Sequence, residues 1–133
     1  MKKLIIPLMI ILLSFPAMAD TVEVGIAPPS LEYVGNFYCS AYCSCKKCCG
    51  RNAKGITASG TVVQKGDCAV DPKVIPLGSI IYVEGVGFLK AVDTGSGVKN
   101  NIIDIYDENG HNHALHYNDD LEGKHRVWIL KGA

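Results

Sequence analysis

The chain has 133 residues, 48% of them apolar, with 13 basic and 13 acidic side chains. That length suits one domain around one modest core. Balanced charge with no basic stripe argues against nucleic acid as a partner and gives no basis for attraction to an anionic membrane surface.

At the amino terminus, Lys2 and Lys3 precede an almost purely apolar run, Leu4 to Phe15, then Pro16 and Ala17-Met18-Ala19 before Asp20. These are the charged start, apolar middle and small-residue cleavage site of a secretory signal peptide. The apolar run falls short of the ~20 residues a membrane-spanning helix needs. Residues 1–19 are therefore expected to be a removed targeting segment. The remainder, Asp20 to Ala133, is expected to be exported, to the periplasm, the outer-membrane surface or the cell wall, without stable membrane insertion.

The next stretch, 20–35, reads as a short lead-in stiffened at Pro28-Pro29, with the folded domain at 36–133. Brief β-runs follow, broken by turn residues. Leu31–Ala41 alternates in part and is rich in aromatics. Ile56–Val63 carries Thr and Val, and Ser79–Val83 is strongly strand-forming. Phe88–Val92, Ile102–Tyr106 and Arg126–Leu130 complete the set. Gly66-Asp67, Gly85–Gly87 and Gly95–Gly97 are read as breaks between them. No segment holds a 3.6-residue period over three turns, and the one short helix expected is Asn109–Tyr117. Short, closely spaced strands point to a small closed β-barrel, which also leaves no free sheet edge.

Five of the six cysteines, Cys39, Cys43, Cys45, Cys48 and Cys49, lie within eleven residues, and Cys68 stands apart. An even count in an exported chain reads first as disulfides that staple the irregular 39–50 segment, one of them reaching Cys68; the pairing is open. Zinc is the rival for Cys-x-Cys-x-x-Cys-Cys, but the usual zinc spacing has two separated pairs. His111-x-His113-x-x-His116 and His125 sit among Asn and Asp and read as a solvated loop. No metal or cofactor is expected.

Three aspartates stand out by context: Asp71 in Ala-Val-Asp-Pro, Asp93 in Ala-Val-Asp-Thr-Gly and Asp104 in Ile-Ile-Asp-Ile-Tyr. On a strand, Asp104 shares a face with Ile102 and Tyr106, so its carboxyl is expected in apolar surroundings that raise its pKa, as a general acid requires. Turn capping is the simpler reading for Asp71 and a fair one for Asp93. Trp128 and Tyr106 read as core or barrel-wall residues.

The string Gly55-Ile-Thr-Ala-Ser-Gly-Thr61, then Ala69-Val-Asp-Pro72, Ile75-Pro-Leu-Gly78, Ala91-Val-Asp-Thr-Gly95 and Ile103-Asp-Ile-Tyr106 resembles the three-aspartate (3D) domain family in order and spacing. That family is similar to the carboxy-terminal domain of membrane-bound lytic transglycosylase A and to stationary-phase muralytic proteins. The resemblance implies an all-β fold, a small six-stranded double-psi β-barrel with at most one or two short helices. It implies peptidoglycan glycan strands as partner and a catalytic set of Asp104, Asp93 and Asp71, with Asp104 as acid/base and Asp93 supporting it. The reaction implied is lytic cleavage of the β-1,4 bond between N-acetylmuramic acid and N-acetylglucosamine, giving a 1,6-anhydro product. An expansin-like barrel that binds without cleaving, or a glycoside hydrolase on the same bond, are the alternatives.

Thr57, Ser59 and Thr94 are candidates for sugar contacts, and Lys99 for a peptide-stem carboxylate. Asn100 departs from the pattern, standing where a glycine is expected after Lys99.

Overall fold

The computed structural model describes residues 29–132. The expected signal peptide and most of the lead-in lie outside the described residues. Strand β1 (Ser30–Tyr42) opens the fold, followed by a single-turn helix α1 (Lys46–Cys49) and a 3-10 turn at Gly50–Asn52. Strands β2 (Asp67–Ala69), β3 (Ile80–Val83), β4 (Gly87–Asp93) and β5 (Ile102–Tyr106) come next. Helix α2 (His111–Asp120) and strand β6 (Lys124–Lys131) complete it.

The six strands close into a barrel in the order β1-β5-β2-β4-β3-β6. Two neighbouring pairs, β1 with β5 and β2 with β4, run parallel, and the rest antiparallel. This is the small all-β barrel expected, with interleaved connectivity and two short helices. No helix among the described residues is long and apolar enough to cross a membrane.

Alternation builds the core. Phe37 on β1, Ile81 and Val83 on β3, Ile103 and Ile105 on β5, and Val127 on β6 all point inward and are buried. Fully burying one such side chain is worth about 1.5–3 kcal/mol. β1 is long enough to serve two partners: its first half pairs with β6 and its second half with β5. A register shift between Tyr33 and Gly35 bends it between those duties, and Gly35, at φ 133, supplies a backbone conformation that side-chain-bearing residues resist. The expected β-run at Leu31–Ala41 is thus strand β1, which begins at Ser30, inside the stretch also read as lead-in.

Two local expectations are corrected. Ile56–Val63 is not a strand; one isolated bridge joins Ile56 to Val62 around a tight turn. The Thr57 and Thr61 hydroxyls lie 2.9 Å apart, and the Thr57 N–H donates to the Thr61 carbonyl, so β-branched residues serve a turn here. Conversely, Asp67–Ala69, beside a Gly-Asp pair read as a break, is strand β2 with all three residues buried. A three-residue strand packed on both faces has no alternation to read.

A second, smaller cluster lies on the outer face of the barrel. Tyr42, Ala69 and Val98 are buried there, with Val63, Ile102 and Tyr106 packed against them. Tyr106 is therefore wall, as expected. Trp128 is also wall, half-buried, its ring 5.6 Å from Tyr33 and 5.8 Å from Tyr82.

Candidate active site

The outer cluster floors an open cleft of about 460 Å³ whose lining includes Tyr42, Ala69, Asp93, Thr94, Val98 and Asp104. Barrel register creates the arrangement. Asp93 on β4 is paired with Ala69 on β2, Ala69 with Asp104 on β5, and Asp104 with Ser40 on β1. Four strands thus place Asp93, Ala69, Asp104 and Ser40 in one row. Two strand spacings separate the carboxyl-bearing backbones, about 10 Å. Alanine between them leaves the space above the sheet open.

Asp104 points outward with Ile102 and Tyr106, as the alternation predicts, but the outer cluster and the loop after β1 cover it. The Ser40 hydroxyl donates to its Oδ1 at 2.8 Å. Burial pushes its pKa up; the Ser40 bond works against that rise, and the negative charge of Asp93 adds to it. Asp93 is held differently. Its Oδ1 accepts the backbone N–H groups of Ala58 at 2.8 Å and Thr94 at 2.9 Å, and its Oδ2 accepts the Tyr42 hydroxyl at 2.9 Å. Burial first, then Asp93, drives the Tyr42 phenol far above its ordinary pKa, so it remains a donor. One carboxyl has a single side-chain donor and a raised pKa; the other is fixed by three donors.

Asp71 is not brought to the cleft. It is 6% exposed, and its Oδ1 accepts the N–H of Lys73 while its Oδ2 accepts the N–H of Asn100. Its carbonyl accepts the N–H groups of Val74 and Ile75. The Asn100 and Lys73 amides hold its carboxyl below the usual range. It caps a turn and ties it to the loop before β5. Asn100 has φ 52, left-handed, which explains why a glycine suits the position and why asparagine replaces it at little strain.

Among the expected sugar contacts, only Thr94 lines the cleft. Thr57 is 5% exposed and its hydroxyl is engaged within its own turn. Ser59 and Lys99 are exposed and outside the lining. Sequence reasoning missed Ser40 and Tyr42, which bond the two aspartates, and Lys54 and Ser96, which line the cleft. Ser40 and Tyr42 share a strand face at i and i+2, but only the barrel's register shows that this face meets Asp104.

The expected disulfides are not present in the structure, where all six cysteines are free thiols. They fall into two groups. Cys39 and Cys68 belong to the main core, and burial pushes the Cys39 thiol up to about 12. Cys43, Cys45, Cys48 and Cys49 form the loop after β1, where Cys48 and Cys49 line the cleft. The histidines are not one cluster: His113 bonds Asp107, His116 Nδ1 meets the Asn112 carbonyl, and His125 Nδ1 meets that of Glu84. His111 alone faces the cysteine loop.

Residues 67–131 match the family model of the 3D domain. The match takes in four of the five sequence blocks and bears out the resemblance. Over 63 residues the chain is 48% identical to the putative cell wall shaping protein YabE of Bacillus subtilis (strain 168), covering 47% of this chain and 15% of that protein. Over 56 residues it is 50% identical to the cell wall-binding protein YocH of the same organism, covering 39% and 20%. Over 84 residues it is 44% identical to the SPbeta prophage-derived protein YorM, covering 59% and 34%. The chain therefore spans between 15% and 34% of the length of these relatives. Among solved structures, it resembles the E. coli lytic transglycosylase MltA at 26% identity and TM-score 0.48, covering 59% of this chain and 28% of that one. The lytic transglycosylase LtgG of Burkholderia pseudomallei is similar at 23% identity and TM-score 0.46, covering 56% and 26%.

Proposed function

We propose that this chain, which carries a 3D domain over residues 67–131, is an exported enzyme that cleaves the glycan strands of peptidoglycan as a lytic transglycosylase. The observation that carries the reading is the asymmetry of the two carboxyls in the cleft. Asp104 has a raised pKa and one side-chain donor; Asp93 is bound by three.

General acid catalysis wants a carboxylic acid that keeps its proton toward neutral pH, and burial of Asp104 favours that state. Asp104 donates its proton to the glycosidic oxygen as the bond to C1 of N-acetylmuramic acid breaks, and N-acetylglucosamine leaves. The Asp104 carboxylate then takes the proton from the C6 hydroxyl of the same sugar, whose oxygen closes on C1. The acid is restored, a 1,6-anhydro ring forms and no water is consumed. Ser40 stabilises the carboxylate between the two halves. Hydrolysis would ask Asp93 to activate water or attack carbon. Three hydrogen bonds already occupy most of its lone pairs, which favours a positioning and electrostatic role instead.

A wall-binding barrel without cleavage is the second reading, favoured by the name of the relative YocH, a cell wall-binding protein. Purified peptidoglycan incubated with the protein, with Asp104→Asn as control, separates the readings by mass spectrometry of the products. Anhydro-muropeptides from the wild type alone support the lytic reaction. Reducing-end products indicate a hydrolase, and co-sedimentation without products indicates a binder.

A further inference from the structure

The cysteine loop and helix α2 meet beside the cleft, through side chains to which the proposed glycan chemistry gives no role. The sulfur of Cys43 lies 3.6 Å from that of Cys48. Nδ1 of His111 lies 3.3 Å from the Cys48 sulfur and 3.8 Å from the Cys45 sulfur. The four ligand atoms of Cys43, Cys45, Cys48 and His111 all lie within 4.8 Å of one another.

These separations can be compared with a metal polyhedron. Zinc holds thiolate sulfur at about 2.3 Å and imidazole nitrogen at about 2.0–2.1 Å, in a tetrahedron. The edges of that tetrahedron are then about 3.8 Å between two sulfurs and about 3.6 Å between sulfur and nitrogen. The observed 3.6, 3.3 and 3.8 Å match those edges within a few tenths of an ångström. Four hydrogen-bonding partners of ordinary kind would not need to converge on one centre.

The chain supplies the ligands in a form that sequence spacing hides. Cys43-x-Cys45-x-x-Cys48 gives three thiols from one loop, and the separated fourth ligand arrives from α2, 63 residues beyond Cys48. Local structure aims them. The one-turn helix α1 is closed by the Cys49 N–H on the Cys45 carbonyl, which turns Cys48 back toward Cys45. The Cys49 thiol donates to the Cys43 carbonyl at 3.2 Å, fixing the backbone of a ligand without joining the set. Helix α2 is held against β1 by the Ala41 N–H, which donates to Asn118 Oδ1 at 2.7 Å. His111 is thereby presented at the near end of that helix.

We propose that Cys43, Cys45, Cys48 and His111 form a structural site for zinc that clips the cleft-lining loop to helix α2. Three thiolates and one neutral imidazole complete a closed four-coordinate shell, so the ion offers no open position for substrate. Binding releases the thiol protons to solvent, with no oxidant required. The site stands on its own geometry and is independent of how the cleft acts on glycan.

The test uses the full-length protein as its host processes it, purified without chelator, with zinc measured by elemental analysis. Cobalt(II) then replaces zinc as an optical probe. The expected result is close to one zinc per chain, tetrahedral cobalt absorption with thiolate charge-transfer bands, and a Tm that falls by several degrees on chelation. His111→Ala and Cys45→Ser should each weaken metal affinity by roughly 100-fold or more, since loss of a mere outer-shell partner of a ligand already costs about 10–100-fold. His116→Ala, on the same helix, should leave it unchanged. Substoichiometric metal, octahedral cobalt spectra, or affinity indifferent to His111→Ala would overturn the proposal. So would a Cys43–Cys48 disulfide in protein isolated with zinc present, because a bridge consumes two of the ligands.

Discussion

Ser40 and Asp104 face each other across the parallel seam between β1 and β5, and the Ser40 hydroxyl donates to Asp104 Oδ1 at 2.8 Å. The bond favours the charged carboxyl while its surroundings favour the neutral one. A group set between those pulls is suited to losing and regaining a proton in one cycle.

Asp104→Asn should lower glycan cleavage by roughly 10³-fold, within the range general acid–base catalysis supplies. The barrel should survive, since asparagine still accepts from Ser40. The folded pKa of Asp104 is raised, so its contribution to stability is full in acid and lost as pH rises through the folded value. Thermal melts should show the variant at or above the wild type near neutral pH and lose that advantage in acid. Wild-type kcat/KM should fall on the alkaline side as Asp104 loses its proton. A variant with unchanged product yield would remove Asp104 from the chemistry.

Tyr42→Phe removes one of the three donors on Asp93 and keeps the ring in the outer cluster. One hydrogen bond of about 0.5–1.5 kcal/mol corresponds to a loss of about 2–10-fold in kcat/KM. Asp93→Asn should cost more, since it also removes the charge that helps raise the Asp104 pKa. Its pH–rate profile should move to lower pH; a profile that stays in place would assign Asp93 to shape alone.

Asp71→Asn should act on stability rather than on the reaction. The folded pKa of Asp71 is depressed by the amides of Asn100 and Lys73. Its contribution is therefore present above the ordinary carboxylate range and fades as pH falls through the folded value. Melting curves should show a drop of several degrees at neutral pH that narrows in acid, with kcat per folded molecule preserved. A large loss of kcat in well-folded variant would return Asp71 to the catalytic set.

Gly95→Ala places a Cβ 2.9 Å from Cγ2 of Val98, which is buried in the floor of the cleft. Overpacking of this kind costs about 1–3 kcal/mol. Val98→Ala in the same chain should relieve it, so the double variant should be more stable than the two single losses predict. Chemical denaturation of the four proteins measures the coupling, and simple additivity would mean that the contact relaxes freely.

Legibility from sequence followed the range of the interactions involved. Strand β5 was readable to its ends because Ile102–Tyr106 alternates between core and outer face within one segment. The outward direction of Asp104 came from the same pattern. The partners of that aspartate were not readable, because Ser40 and Tyr42 reach the carboxyls only through the pairing of β1 with β5 and the closure of the barrel. Thr57 is a sugar-contact candidate by sequence, because a turn-forming threonine and a ligand-binding one look alike there; the structure sets its hydroxyl 2.9 Å from that of Thr61. Asp71 shows the reverse: Asp-Pro announced a turn, and a turn is what it caps. His111 was set aside with its neighbours because helix period, not proximity in sequence, decides which histidine faces the cysteine loop.

The single tryptophan gives the barrel an optical handle. Trp128 lies on β6, which stands across the ring from β2 and from the Ala69 gap between the two cleft aspartates. Its ring touches Tyr33 of β1 and Tyr82 of β3, the strands on either side of it. Intrinsic fluorescence should therefore register whether the ring of strands has closed while staying nearly silent as glycan enters the cleft. One chromophore would thus let refolding be followed in the presence of polymeric substrate, with little optical interference from binding.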